Sequence, residues 1–264
     1  MQKIIDFHAH VFPEKVALKA AMSIGDFYGI HMGENGTLEH LLQEGEKIHV
    51  DKYVIHSVAT RPDQVHNIND FIHNAMQKYP DKFIGFGTLH PRCTDLEQEF
   101  ERIVSLGLRG VKIHPDFQEF NIDSEEAMKM YGIIEGRLPL LVHTGDYRYD
   151  FSHPRRMAKV VDAFPKLDVI CAHFGGWSMW EEGLKYLLDK RVWIDSSSSL
   201  YNMSPQTATE LVRKWGAERI FFGTDYPMWV HEKELERFNR LELTDRERQL
   251  ILYENAKNFL GLED

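Results

Sequence analysis

Short runs rich in β-branched and aromatic residues recur along the chain at Lys3–Phe7, Lys52–Val58, Phe83–Thr88, Gly110–Ile113, Leu140–Val142, Val169–Ala172, Arg191–Ile194 and Arg219–Phe222. They predict eight strands. Between them the apolar positions change period. Val65, Ile68, Ile72, Ala75, Met76 and Tyr79 recur at three and four residues, which places them on one face of a helix. Thr94 with Glu97, Asp123 with Glu126, and Thr244 with Glu247 have the spacing of capping boxes, and Ser204-Pro205 reads as a helix start. The interval from Val11 to Asn35 shows no such pattern and reads as a long irregular stretch, a candidate lid or pocket wall.

Strands that alternate with helices through short connections predict a parallel sheet. Eight such units predict its closure into a single-domain (β/α)8 TIM barrel over residues 1–264. The length of 264 residues suits that fold, and 43% hydrophobic with 27% charged residues excludes a disordered or fibrous chain. Gly85 and Gly87 flank Phe86 inside a strand, without the third glycine or the helix entry of a dinucleotide site.

The formal net charge of −10 argues against a phosphate-backbone partner, so no nucleic acid is expected. Cys93 and Cys171 are the only cysteines, too few for a disulfide scaffold or a cysteine-built zinc site. A cytoplasmic location fits this usage. No export signal and no apolar run of about 18 residues is evident, so no membrane partner is expected. A homodimer through helix faces is a compatible assembly.

In a parallel barrel the chemistry sits at the C-terminal ends of the strands. Four predicted strands end in metal-ligand residue types: Asp6-Phe7-His8-Ala9-His10, Val142-His143-Thr144-Gly145-Asp146, Cys171-Ala172-His173-Phe174-Gly175-Gly176 and Gly223-Thr224-Asp225-Tyr226-Pro227. Strand period puts His8 and His10 on one face, about 6.6 to 7 Å apart along the backbone, with Phe7 and Ala9 facing the helix layer. Imidazole and carboxylate suit Zn²⁺ and its neighbours, and three histidines with one aspartate leave room for water. A lone H-x-H arises by chance in a chain with 14 histidines. Four strand ends in barrel order do not. His31, His40, His49, His66, His73, His90 and His153 read as surface or packing residues. The Ser196–Ser199 run lacks a paired-histidine signature and does not read as a nucleophile.

With these marks the chain resembles the amidohydrolase superfamily, specifically its amidohydrolase-related (amidohydrolase-2) family, across nearly its whole length. The resemblance implies that His8, His10, His143 and Asp225 are metal ligands, that His173 ligates the metal or hydrogen-bonds its water, and that Asp225 accepts the proton. The expected cofactor is one divalent ion, Zn²⁺ by preference. The strand Gly110-Val111-Lys112-Ile113-His114-Pro115 places Lys112 where binuclear relatives carry a carbamylated lysine, so a carbamate there would bring a second ion. The other reading is an unmodified amine that binds a substrate carboxylate. His114, Arg61 and Trp177 are further candidates for substrate contact, with Asp146, Arg148 and Trp229 beside them.

The expected activity is hydrolysis of an amide, lactone or ester in a small, carboxylate-bearing substrate, with a metal-activated water, Asp225 as base and His173 at the oxyanion. The alternative is a lyase, a non-oxidative decarboxylase or hydratase of a small aromatic or unsaturated acid, with Lys112, Arg61 or Arg148 on the carboxylate. A barrel that has lost its chemistry and only binds a metabolite would not need every ligand type retained at its strand ends.

Overall fold

The computed structural model describes residues 3–263. Its strands are β1 (Ile5–His10), β2 (Lys52–His56), β3 (Phe83–Gly85), β4 (Gly87–Thr88), β5 (Val111–Ile113), β6 (Leu140–Val142), β7 (Val169–Cys171), β8 (Val192–Asp195) and β9 (Ile220–Phe221). The helices are α1 (Glu14–Tyr28), α2 (Leu38–Glu46), α3 (Val65–Lys78), α4 (Leu96–Ser105), α5 (Pro115–Gln118), α6 (Glu125–Ile134), α7 (Pro154–Ala163), α8 (Trp180–Leu187), α9 (Pro205–Trp215), α10 (His231–Asn239), α11 (Asp245–Gln249) and α12 (Asn255–Phe259). Phe86 interrupts the third predicted strand and separates β3 from β4, so the chain still follows the predicted strand–helix alternation.

Two compact units partition the chain: a first made of Met1–His56, Tyr79–Ile84 and Ser196–Asp264, and a second made of Ser57–Lys78 and Gly85–Asp195. In the first, β1 pairs in parallel with β2, with an irregularity between Asp6 and Ala9. On its other side, the Phe7 amide donates to the Phe222 carbonyl and the His10 amide to that of Tyr226. All six residues of β1 are buried. Phe7 explains part of that: its ring stacks on Phe221 at 4.2 Å and meets Phe259 edge-on at 6.1 Å, while Phe222 meets Phe238 at 5.7 Å. Such aromatic pairs add to the area they bury.

In the second unit β4 to β8 are successive parallel neighbours, in register Val111↔Leu140↔Val169↔Val192. Strands β6 and β7 read as continuous apolar runs because both faces are covered, whereas β5 carries the buried Lys112 and β8 ends in Asp195. Gly110 must be glycine, since a Cβ there would lie 2.4 Å from the Phe86 ring. Helix α3 buries Val65, Ile72 and Ala75, as its period predicts, along with Asn69, whose amide side chain bonds both the amide and the carbonyl of Thr88.

Three local expectations are corrected. The stretch from Val11 to Asn35 holds α1, a 15-residue helix closed by Gly29 in the left-handed conformation. Its buried stripe is Ala17, Ala21 and Gly25, small residues that carry little hydrophobic signal, while Val16, Leu18 and Met22 are exposed. At α4 the cap position falls on Asp95, with no side-chain cap, because the Thr94 hydroxyl donates to Asp95 instead of capping. At α6 the cap is Ser124, one residue beyond Asp123, which is held by Arg156 and Lys159. Ser204 before α9 and the Thr244/Glu247 capping box before α11 are as read from the sequence. No helix among the described residues is long and apolar enough to cross a membrane.

Candidate metal centre

The first unit gathers ligand-type side chains at the ends of β1, β2 and β9. His8 Nε2 lies 3.3 Å from His10 Nε2, and Asp225 Oδ1 lies 3.3 Å from the first and 3.4 Å from the second. Donor atoms about 2.1 Å from a shared divalent ion stand roughly 3.0 Å apart at octahedral angles and roughly 3.4 Å apart at tetrahedral ones. The triangle has the edge lengths of three ligands around one ion, so these residues fit a divalent metal. All three side chains are nearly or wholly buried.

The backbone brings them together through close packing. The Asp225 amide donates to the His8 carbonyl, and Asp225 adopts a left-handed φ of 59°. A Cβ on Gly223 would stand 2.9 Å from that of His8. Asp6, fully buried, accepts from the His8 and Thr224 amides, from the Thr224 hydroxyl at 2.7 Å and from His231 Nε2 at 3.0 Å. One carboxylate thus ties the strand that carries His8 and His10 to the loop that carries Asp225.

His56, at the end of β2, places its ring edge-on to both His8 and His10, at 4.8 and 4.4 Å between centroids, and forms a third donor within 4.8 Å of theirs. It was missed in the sequence, although a histidine closing the β-rich run Tyr53-Val54-Ile55 carries the same strand-end signal as the others. Asp6, Ser197, Ser198 and His231 were missed as well. Their partners come from distant chain segments, and no spacing rule encodes them.

The second unit collects His114, His143 and His173 at the ends of β5, β6 and β7. His143 Nδ1 lies 3.0 Å from His173 Nε2, again a separation that two donors on one ion would show. The His114 ring is stacked between those of Phe117 and His143, 3.9 Å from each, and its Nδ1 accepts the Phe117 amide at the start of α5. His173 sits at a left-handed φ of 61°, its amide donating to Asp195. Asp116, not singled out in the sequence, is 3.6 Å from His143 Nε2 and accepts from the Ser152 hydroxyl at 2.6 Å. Burial pushes its carboxyl up to about 7, with Asp146 adding to the rise and the Ser152 hydroxyl opposing it.

The expected substrate contacts are placed differently from one another. Lys112 is buried on β5, with 1% exposure. Trp177 is buried under the Arg148 guanidinium, whose fork is occupied by the Asp146 carboxylate at 2.7 Å. Arg61 is exposed and paired with its neighbour Asp63 at 3.0 Å. Trp229 donates from its indole nitrogen to Ser198.

With strand-end histidines and an aspartate of this kind on a parallel β/α scaffold, the comparisons with known proteins converge on one class. The chain belongs to the amidohydrolase family, whose model matches residues 5–262. It is similar to a decarboxylase, orsB, of Emericella nidulans, 29% identical over 39% of this chain and 37% of that one. A gamma-resorcylate decarboxylase of Polaromonas is 23% identical over 74% of this chain and 75% of its own. Among solved structures, a TIM-barrel protein of Bordetella bronchiseptica aligns with a TM-score of 0.81 at 20% identity over 98% of both chains. A dihydroxybenzoic acid decarboxylase of Polaromonas, solved with manganese and 2-nitroresorcinol, aligns with a TM-score of 0.75 at 17% identity, covering 99% of this chain and 97% of that one. The fold is the (β/α)8 TIM barrel predicted from the strand–helix alternation.

Proposed function

We propose that this protein is a metal-dependent, non-oxidative decarboxylase of a small aromatic carboxylic acid. The observation that carries the metal part is the His8–His10–Asp225 triangle. What favours the lyase over the hydrolase expected first is that three of the four similar proteins named above are decarboxylases. His143 and His173 enter the ligand set on the family resemblance alone. Manganese in the Polaromonas structure makes Mn²⁺ the first ion to test and Zn²⁺ the second.

A bound divalent ion would supply positive charge that holds substrate oxygens and stabilises electron density pushed onto them. The reaction needs one thing more, a proton for the ring carbon. The carbon–carbon bond to the carboxylate breaks, its electron pair stays on the ring carbon, and the proton lands there as CO2 leaves. Asp225 is the group to carry that proton: it stands at the site with one oxygen turned to the ligand triangle and the other bonded by Ser198. By the family resemblance alone, Lys112, if unmodified, would be the group that binds the substrate carboxylate. Arg61 and Arg148 would have to leave Asp63 and Asp146 to do so.

The test is CO2 release from a panel of hydroxybenzoates by the Mn²⁺-loaded protein, beside hydrolysis of lactones, esters and amides. CO2 release that falls about 10²-fold or more in Asp225→Asn, with metal still bound, is the expected result. Hydrolysis without CO2 would return the hydrolase reading, and activity on neither panel would sink both.

A further inference from the structure

The run Ser196–Ser199, unexplained as a nucleophile, has a different use in the first unit. We infer that Ser197 and Ser198 are positioning residues that fix two of the proposed metal ligands, His8 and Asp225, in the orientation that binds the ion. The inference rests on the metal reading above and names what holds that site.

Ser197 Oγ lies 3.1 Å from His8 Nδ1. His8 Nε2 is the atom that faces His10 and Asp225, so it needs its lone pair to bind a cation. The ring proton therefore belongs on Nδ1, where it is donated to Ser197. That bond selects the tautomer and holds the ring plane.

Ser198 treats the carboxylate in the complementary way. Its hydroxyl donates to Asp225 Oδ2 and accepts the Trp229 indole N–H at 2.8 Å. The indole has only a donor, so the serine proton goes to an acceptor, and the carboxylate oxygen is a far stronger one than Met228 Sδ, 3.2 Å from the same hydroxyl; Oδ1 then faces the ligand triangle. Trp229 is itself fixed, stacked on Tyr201 at 4.5 Å and covered by the Arg237 guanidinium at 4.7 Å.

Two adjacent residues of an extended chain would point to opposite sides. Ser198 escapes this with a left-handed φ of 45°, which lets neighbouring hydroxyls reach ligands that belong to β1 and to the loop after β9. A non-glycine residue held there carries a conformational cost that its surroundings must offset. Both serines are fully buried. Ser196 is the internal control, since its hydroxyl accepts the Gly223 amide at 3.3 Å instead of bonding His8 or Asp225.

The experiment is Mn²⁺ titration calorimetry of metal-stripped wild type, Ser196→Ala, Ser197→Ala and Ser198→Ala, with melting curves of the stripped proteins and the visible spectrum of each Co²⁺-loaded form. The expected result is a Kd weakened about 10- to 100-fold in Ser197→Ala and Ser198→Ala, with shifted Co²⁺ bands. Ser196→Ala should stay within about twofold of wild type with its bands unmoved. Wild-type affinity and spectra in the two ligand-facing variants overturn the inference and leave the metal reading intact. Equal weakening in all three overturns it too, by showing that the run acts only through the fold. A wild type that binds no metal overturns the metal reading itself.

Discussion

Glu234, on α10, is a buried carboxyl from which a pH dependence of stability in the first unit follows. It has 1% exposure and lies against Arg237 in an ion pair. Burial nonetheless pushes it up from 4.5 to about 7, with the charges of Asp225 and Asp6 adding to the rise and Arg237 opposing it. The folded state thus holds this proton more tightly than the unfolded chain does. The stability it contributes is complete below about pH 4.5 and is lost as the pH rises through about 7. At about 1.4 kcal/mol per unit the whole change is about 3 kcal/mol. Urea unfolding of wild type and Glu234→Gln between pH 4.5 and 8 should show wild type losing stability relative to the variant as the pH rises. Parallel profiles would remove Glu234 as the source.

At the scale of elements, α11 offers a contained test of how far local chemistry sets helix boundaries. The Thr244 hydroxyl accepts the Glu247 amide at 3.2 Å while Glu247 returns to the Thr244 amide at 2.7 Å. Thr244→Ala removes one half of that exchange on an exposed turn, and a loss of about 1 kcal/mol in urea unfolding is expected. No loss would mean that the following π-helical turn at Leu250–Glu254, not the cap, fixes this segment. This cap was legible in the sequence because all its partners lie within four residues. So were the strands, as short apolar runs, and the ligand types that end them. Helix α1 was illegible because its buried stripe is alanine and glycine. The packing demands small size there, and size leaves no hydrophobic mark. His56 was legible in principle, whereas the grips of Ser197 on His8 and of Asp6 on Thr224 join residues 189 and 218 positions apart. Only folding brings them together.

Over the whole molecule, metal binding and stability are linked, because an ion held as proposed by side chains that only folding brings together, His8, His10 and Asp225 among them, would bind the folded chain alone. At a free Mn²⁺ concentration 100 times Kd the expected gain is about 2.7 kcal/mol. For a chain of this size that is a rise in Tm of roughly 5 to 10 °C, reversed by a chelator. An acidic protein of formal charge −10 also collects divalent cations loosely on its surface, which would mimic part of the effect. The two sources respond differently to salt. Surface attraction is screened at 0.15 M ionic strength, where the Debye length is about 8 Å, while coordination by buried imidazoles and a carboxylate would be screened much less. The rise in Tm should therefore persist in 0.15 M salt for wild type and vanish in a His8→Ala/His10→Ala double variant. A rise of the same size in that variant would place the ion elsewhere on the chain, and with it the chemistry proposed here.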